Sequence, residues 1–157
     1  MDTDEISKAL QRLFPYIEGL ESLKQRSLGY TLRVGDSKES CIKLDLFYTA
    51  EFLFPEEVVD GIRLASLQEI GAMKMSAITT RKEMKDFWDI NELIQRYRIT
   101  DLIKWGIDRD PYVLTEKLIL ESFGKIDEVD PDVPLKCLKG NYWEFVKEDL
   151  LEAINSI

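Results

Sequence analysis

The chain has 157 residues, of which 45% are hydrophobic and 32% are charged, so its composition is that of a folded domain of ordinary size. It contains no histidine and two cysteines, Cys41 and Cys137, which excludes histidine-dependent catalytic triads, histidine general bases and a structural zinc site. The 21 basic and 30 acidic residues give a net charge of −9, which disfavours binding of nucleic acid by the bulk surface.

Cysteine usage and hydropathy indicate the compartment in which the protein works. Two distant thiols without a CxxC motif are typical of a reducing compartment. The acidic residues 1–5 lack the apolar segment of a secretory signal, and no apolar run is long enough to span a bilayer. We therefore expect a cytoplasmic protein without a membrane partner. Any metal is expected to be a hard cation held by carboxylates, such as Mg²⁺.

The first predicted element is a helix over residues 5–24, in which Pro15 introduces a kink or a break. Two alternating runs follow, residues 30–34 and 41–47, separated by a polar turn, and they predict a β-hairpin. A short third strand is predicted over residues 62–65. These strands are expected to form one small antiparallel sheet, packed by the first helix on one side and by later helices on the other.

From Ser66 onward the sequence is helical, and Ser66 with Glu69 has the spacing of a reciprocal capping box. Five helices are predicted. The first two span about residues 66–79 and 85–97, and the third begins at Thr100. The fourth begins at Asp110–Pro111 and ends at Gly124, and the fifth begins at Asn141 with Glu144. The predicted fold class is α+β, a small antiparallel or mixed sheet followed by a C-terminal helical bundle. We assign residues 1–65 to the sheet-containing core and 66–157 to the helical region of one compact unit.

The most informative charges lie on two consecutive predicted helices. Lys74 lies on a helix face lined by small residues, which directs its ammonium towards an anion. Arg81 follows in the loop, and Asp86 and Asp89 are three residues apart on the next helix, so their carboxylates point the same way. A purely structural interpretation is also open. In that case the two aspartates complement the helix dipole and pair with the two cations.

This pattern resembles the C-terminal signature of the AbiEii/AbiGii-type nucleotidyltransferase family, the toxin-like branch of the polymerase-β-like superfamily. The resemblance is carried by A-M-K-x-x-A on a capped helix, then an Arg, then K-D-x-x-D on the following helix. Residues 41–48 resemble that family's strand with the third active-site carboxylate, and residues 60–66 resemble the short strand that enters the lysine helix. The similarity covers most of the chain and is strongest between residues 41 and 93.

The resemblance implies a site and a chemistry. It implies that Asp45 is a catalytic carboxylate and a ligand in a two-Mg²⁺ site, and that Lys74 contacts a nucleotide phosphate. It also implies that Arg81, Asp86 and Asp89 lie against the nucleotide cleft, which we expect Asp45 to border. The reaction implied is nucleotidyl transfer from an NTP. The family's genomic context implies an antitoxin-like protein as a partner.

The sequence departs from the family pattern in its first part. The family's glycine turn and D-x-D strand have no counterpart here, and Asp45 alone cannot ligate two divalent ions. We therefore expect a truncated or degenerate nucleotidyltransferase-like protein that is inactive alone and binds nucleotide weakly through Lys74 and Arg81.

Two alternatives stay open. One is an active Mg²⁺-dependent nucleotidyltransferase of the toxin–antitoxin or phage-defence type, whose missing carboxylates come from another chain. The other is an unrelated α+β protein-interaction domain.

The loss of the first unit of the fold would leave an unpaired sheet edge, from which we expect a homodimer that exchanges a segment at Pro15.

Overall fold

The computed structural model describes residues 2–48, 51–130 and 140–157. The chain divides into two compact units, Met1–Glu51 and Phe52–Ile157. The second unit thus begins before the boundary that the sequence analysis drew at residues 65 and 66. Cys137 and most of the acidic loop that follows Gly124 lie outside the described residues.

The first unit contains one helix, a 3₁₀ turn at Leu20–Lys24 and three strands in its described part. Their bounds are α1 (Thr3–Leu13), β1 (Tyr16–Glu18), β2 (Gly29–Gly35) and β3 (Cys41–Phe47). Helix α1 begins where the side chain of Asp2 accepts hydrogen bonds from the backbone N–H groups of Asp4 and Glu5, at 3.1 and 3.0 Å.

The break expected at Pro15 is observed, but the α-helix predicted over residues 5–24 does not resume after it: a strand and a 3₁₀ turn follow. Helix α1 ends at Leu13 because Pro15 forces the preceding Phe14 into an extended conformation, with φ −125° and ψ 126°. The chain then enters β1, in which the β-branched Ile17 pairs with Val34 of β2. Gly19 follows with φ 86°, a conformation that glycine adopts without strain.

The hairpin predicted from the two alternating runs is confirmed. Strands β2 and β3 are antiparallel with Leu32 opposite Leu44, and the sheet order is β1-β2-β3. One face of β2 is buried, because the side chains of Tyr30, Leu32 and Val34 pack with Leu10 of α1 in the core of this unit.

The strand predicted near residue 62 exists, but it does not join the sheet of the first unit. Strands β4 (Glu57–Val59) and β5 (Ile62–Leu64) form a separate two-stranded sheet. Asp60 and Gly61 join them with positive φ angles of 51° and 78°, the backbone of a two-residue hairpin turn. This turn pairs β5 with its immediate predecessor, so the prediction of one continuous sheet is wrong.

Five helices complete the described part of the second unit, as predicted. They are α2 (Leu67–Thr80), α3 (Met84–Ile94), α4 (Ile99–Arg109), α5 (Glu116–Phe123) and α6 (Trp143–Asn155). Their shared core includes the fully buried Phe87, Phe123 and Leu150. No helix in these ranges is both long and apolar enough to cross a membrane.

Several helix starts differ from the predicted ones. Helix α4 begins at Ile99, so Thr100 lies inside its first turn. Helix α5 begins after Thr115, whose hydroxyl accepts from the Leu118 N–H at 3.2 Å, whereas Asp110 ends α4. Helix α6 begins at Trp143 without a side-chain cap; Asn141 instead accepts a hydrogen bond from the Tyr142 N–H. Turn-forming residues predicted these boundaries only to within a few positions.

Two glycines allow α2 and α4 to approach closely. A Cβ atom at Gly106 of α4 would lie 2.5 Å from the Cβ of Met75, and one at Gly71 of α2 would lie 2.9 Å from a methyl of Leu102. Met75 is fully buried and has no space into which it can move.

We expect Gly106→Ala to destabilise the protein by about 1–3 kcal/mol, because overpacking at Met75 outweighs the helix propensity that alanine gains. Urea unfolding measures the difference. Gly124→Ala is the matched control, since its Cβ would meet nothing closer than 3.6 Å. Equal effects of the two substitutions would contradict the close packing of α2 on α4.

Candidate functional site

Four of the five site residues predicted from the sequence form one ion-pair cluster in the second unit. The Lys74 ammonium of α2 donates to Asp86 Oδ1 at 2.9 Å. Arg81, the residue at which α2 ends, donates through Nε to Asp86 Oδ2 at 2.9 Å and through Nη2 to Oδ1 at 3.1 Å. Lys74 also forms an ion pair with Asp89, one turn further along α3. We call these residues the α2–α3 charge cluster.

The local sequence explains this geometry. Only residues 81–83 separate α2 from α3, so the last turns of one helix lie beside the first turn of the next. Asp86 and Asp89 lie on one side of α3 because they are three residues apart. Buried apolar neighbours such as Met75, Ile78 and Phe87 fix the two helices against the core, so the charged side chains meet in a defined arrangement.

The cluster is electrostatically asymmetric. Asp86 is fully buried, whereas the side chains of Lys74, Arg81 and Asp89 are 20%, 49% and 52% exposed. Burial opposes ionisation of Asp86, but hydrogen bonds from Arg81 and Lys74 outweigh it and hold the pKa of this carboxyl below its ordinary value. Burial also opposes the charge on Lys74, yet its bonds to Asp89 and Asp86 raise the pKa of the ammonium. Asp86 is therefore a fixed anion that holds two cations in place.

A cavity of about 390 Å³ lies beside the cluster. Its lining residues are Leu67, Ile70, Asp89, Glu92, Leu93 and Arg96. Asp89 belongs both to this lining and to the ion pair with Lys74, so the cavity and the charge cluster are continuous. The sequence analysis assigned no role to the other lining residues. The signal that would have found them is helical spacing, because residues 67, 70 and 74 share one face of α2 and residues 89, 92 and 93 share one face of α3.

Asp45, the fifth predicted site residue, lies on β3 of the first unit. The Thr31 hydroxyl donates to Asp45 Oδ1 at 2.6 Å from the opposite position on β2, and the Lys43 ammonium lies 2.8 Å from Oδ2. The structure thus places Asp45 on the expected strand. That Asp45 borders the cleft of the other four residues stays a prediction.

The described residues do not fit a two-metal site. Ranges 2–48, 51–130 and 140–157 contain no group of three or more acidic or cysteine side chains arranged to hold a metal ion. The groups that contact Asp45 include a hydroxyl and an ammonium, and the ammonium repels a divalent cation. Each Mg²⁺ takes six oxygen ligands, so one carboxylate such as Asp45 does not by itself hold two such ions.

A second buried acid, Glu69, was interpreted from the sequence as half of a capping box, and that interpretation is wrong. The Ser66 hydroxyl accepts from the Glu69 N–H at 3.3 Å, as predicted, but the Glu69 carboxylate does not reach back to Ser66. It accepts instead from the N–H groups of Leu53 and Phe54 at 2.9 and 3.1 Å, and it forms an ion pair with Arg109 at the end of α4. Glu69 is fully buried, so its carboxylate needs polar partners. These distant groups provide them in place of the Ser66 backbone.

Comparison with known families excludes one of the open interpretations. A family model described as "Nucleotidyl transferase AbiEii toxin, Type IV TA system" matches residues 3–125. The chain belongs to this family. The matched range includes Asp45 and the whole α2–α3 charge cluster, and α6 lies beyond it. An unrelated interaction domain is therefore excluded, and the AbiEii resemblance is confirmed. Searches of the curated proteins and of the solved structures gave no match.

We expect Asp86→Asn to destabilise this AbiEii-family chain by roughly 3 kcal/mol at neutral pH, because Lys74 and Arg81 lose their shared buried anion. The folded-state pKa of Asp86 is lowered, so its stabilisation is complete above the unfolded pKa of about 4 and disappears as the pH falls through the folded value. Urea unfolding at pH 7 and pH 3 measures this dependence.

The difference between wild type and Asp86→Asn should shrink at pH 3. Asp108→Asn is the control, because Asp108 pairs with Lys104 on an exposed helix surface and its loss should cost below about 1 kcal/mol. A difference that is equally large at both pH values would show that Asp86 contributes through packing and not through its charge.

Proposed function

We propose that this chain is a nucleotide-binding member of the AbiEii family that does not transfer a nucleotidyl group by itself. The observation that carries the proposal is the α2–α3 charge cluster, in which one buried carboxylate holds two partly exposed cations beside a cavity. A cytoplasmic location and an antitoxin-like partner are part of the proposal, and the toxin–antitoxin designation of the family supports the partner.

Lys74 and Arg81 are the groups of the cluster that a phosphate would contact, although Arg81 also lies 3.7 Å from the Glu83 carboxylate. Lys74 and Arg81 together with the buried Asp86 carry one net positive charge, and both cations reach solvent. Asp89 neutralises this charge, but it is the most exposed member of the cluster. We expect a triphosphate to displace Asp89 from Lys74, while the guanidinium of Arg81 retains free donors for a second phosphate oxygen.

The adjoining cavity has the size and lining that the rest of a nucleotide needs. About 390 Å³ is within the range of small-molecule sites. Leu67, Ile70 and Leu93 provide an apolar wall for a base, whereas Glu92 and Arg96 provide polar groups for hydroxyls or for base edges. Asp89 lies at the junction of the charge cluster and the cavity. A single bound nucleotide would therefore place its phosphates at the cluster and its base in the cavity.

The proposed lack of transfer follows from the metal requirement of the reaction. Two-metal chemistry needs several carboxylates around both ions, and residues 2–48, 51–130 and 140–157 contain no group of three or more acidic or cysteine side chains that could hold a metal ion. The alternative is an active Mg²⁺-dependent transferase in which Asp45 is the catalytic carboxylate and another chain supplies the others. Its support is the family assignment.

We expect Lys74→Met to weaken binding of an NTP by about 10-fold or more, because one charge-assisted phosphate contact is lost. Asp89→Asn should have the opposite effect and bind the NTP more tightly, since the anion that competes for Lys74 is removed. Isothermal titration calorimetry measures both affinities.

Lys117→Met is the control for loss of charge, because Lys117 is 85% exposed on α5 and lies 3.8 Å from the Glu121 carboxylate in a long ion pair. Thermal unfolding of each variant verifies that it remains folded. Weaker binding by Asp89→Asn, or equal effects of the two lysine variants, would contradict phosphate binding at the cluster.

Transfer is tested separately with α-labelled NTPs, Mg²⁺ and a mixture of RNA and protein acceptors. We expect no label in any acceptor. Label incorporation that Asp45→Ala abolishes would reject the inactive assignment and support the transferase alternative, whatever the binding measurements give.

A further inference from the structure

Strand β3 is an open edge of the three-stranded sheet. Within residues 2–48, 51–130 and 140–157, β3 pairs with β2 and no strand pairs with its other side. It is seven residues long and contains no Pro, and of the charged residues that commonly blunt such edges it has Lys43 and Asp45, which pair with each other. Ile42 and Phe47 on this strand are 66% and 54% exposed. An edge that is this long and this apolar is typical of a surface that pairs with another strand.

The hydrogen bonds to β2 determine which backbone groups face the open side. Flanking the paired strands, the Tyr48 N–H donates to Leu28 O at 3.1 Å and the Asp36 N–H donates to Ser40 O at 3.2 Å. Antiparallel pairing alternates, so the even-numbered residues of β3 bond to β2. The N–H and C=O groups of residues 41, 43, 45 and 47 therefore point away from β2.

The sequence of β3 is self-complementary about its centre. On each side of Leu44 it places a charged residue, then two apolar ones, in the order Cys-Ile-Lys-Leu-Asp-Leu-Phe. If a second β3 runs antiparallel with Leu44 opposite Leu44, Lys43 of each copy faces Asp45 of the other. Ile42 faces Leu46 in the same register.

We infer that β3 pairs with β3 of a second copy of this chain, about a two-fold axis at Leu44. The backbone is compatible with this register. Residue 43 lies opposite 45 and residue 41 opposite 47, and the N–H and C=O groups of all four point away from β2, so they can bond to the second copy. The product is a continuous six-stranded sheet in the order β1-β2-β3-β3-β2-β1. It is an isologous contact that closes after two chains.

This dimer differs from the one expected from the sequence. A crossover at Pro15 is not needed, because β1, which follows Pro15, pairs with β2 of its own chain. The charges set the register. Lys43 and Asp45 already pair within one strand, and in the dimer the same groups also face their opposites across the axis. A slip of two residues in one direction would place Lys43 opposite Lys43, and in the other direction it would place Asp45 opposite Asp45.

Charge reversal tests the register in the full chain by sedimentation velocity over a concentration series. We expect a reversible wild-type dimer, and Lys43→Glu and Asp45→Lys should each raise its dissociation constant by about 10-fold or more, because two symmetry-related like-charge pairs form. The double variant Lys43→Glu/Asp45→Lys restores opposite charges and should restore the dimer. Lys38→Glu changes the charge equally in the turn outside β3 and should leave the dimer intact.

A cross-link tests the same register without charge changes. In a Cys137→Ser background, which removes the other native thiol, Phe47→Cys places a thiol opposite Cys41 of the second copy, at a Cα separation of about 5.5 Å that a disulfide spans. Within one chain these positions are about 20 Å apart along an extended strand, so only the dimer can form this bond. Oxidation should give a covalent dimer that Phe47→Cys/Cys41→Ser does not give.

Three results would overturn the inference. They are a wild-type chain that is monomeric at every concentration, a folded double variant that stays monomeric, and cross-linking that persists without Cys41. A stable complex of β3 with a strand of a different protein, in place of the dimer, would also overturn it. None of these outcomes depends on nucleotide binding, so the two proposals fail or succeed separately.

Discussion

The arrangement of the second unit depends on the burial of one carboxylate, Asp86. A fully buried anion is tolerated only when cations and hydrogen bonds compensate it, and here Lys74 and Arg81 use both of its oxygens. Lys74 belongs to α2 and Arg81 directly follows it, so their ion pairs with Asp86 hold α3 against α2. The same contacts hold the Lys74 ammonium beside Asp89, which lines the cavity. Stability and the proposed binding chemistry therefore have one physical origin.

Glu69 extends this principle to the other end of α2. Its buried carboxylate joins the backbone of Leu53 and Phe54 to α2 and, through Arg109, to the end of α4. Burial lowers the pKa of Arg109, although an arginine still remains charged at physiological pH. Asp86 and Glu69 are thus two internal anions, each neutralised from a neighbouring helix. Between them the α2–α4 contact is apolar and close, because Gly71 and Gly106 carry no side chain.

The fold class and the five C-terminal helices followed from hydrophobic periodicity, which depends on local sequence and is reliable where the pattern is long. Errors arose where a distant partner decides the outcome. Ile17 continues a helical pattern, yet the helix ends before Pro15, and the residues around Ile17 pair with β2 as a strand. Glu69 has capping-box spacing, yet Arg109 and a distant backbone segment bind its carboxylate. The grouping of Lys74, Arg81, Asp86 and Asp89 could be predicted, because only two adjacent helices determine it. The cavity could not, since its volume depends on how those helices pack.

The structural interpretation of the charge cluster applies to Asp86, whereas the functional interpretation applies to Asp89. Asp86 has no exposed surface, so its bonds to Lys74 and Arg81 are part of the folded state and persist when a ligand binds. Asp89 is half exposed, and an exposed ion pair contributes little to stability because water solvates each partner well on its own. Exchanging Asp89 for a phosphate therefore costs little, whereas exchanging Asp86 would leave a buried site without its anion. A helix-dipole role explains the position of Asp86 in the first turn of α3, but it does not explain Asp89, which lies one turn further along the helix at the junction with the cavity.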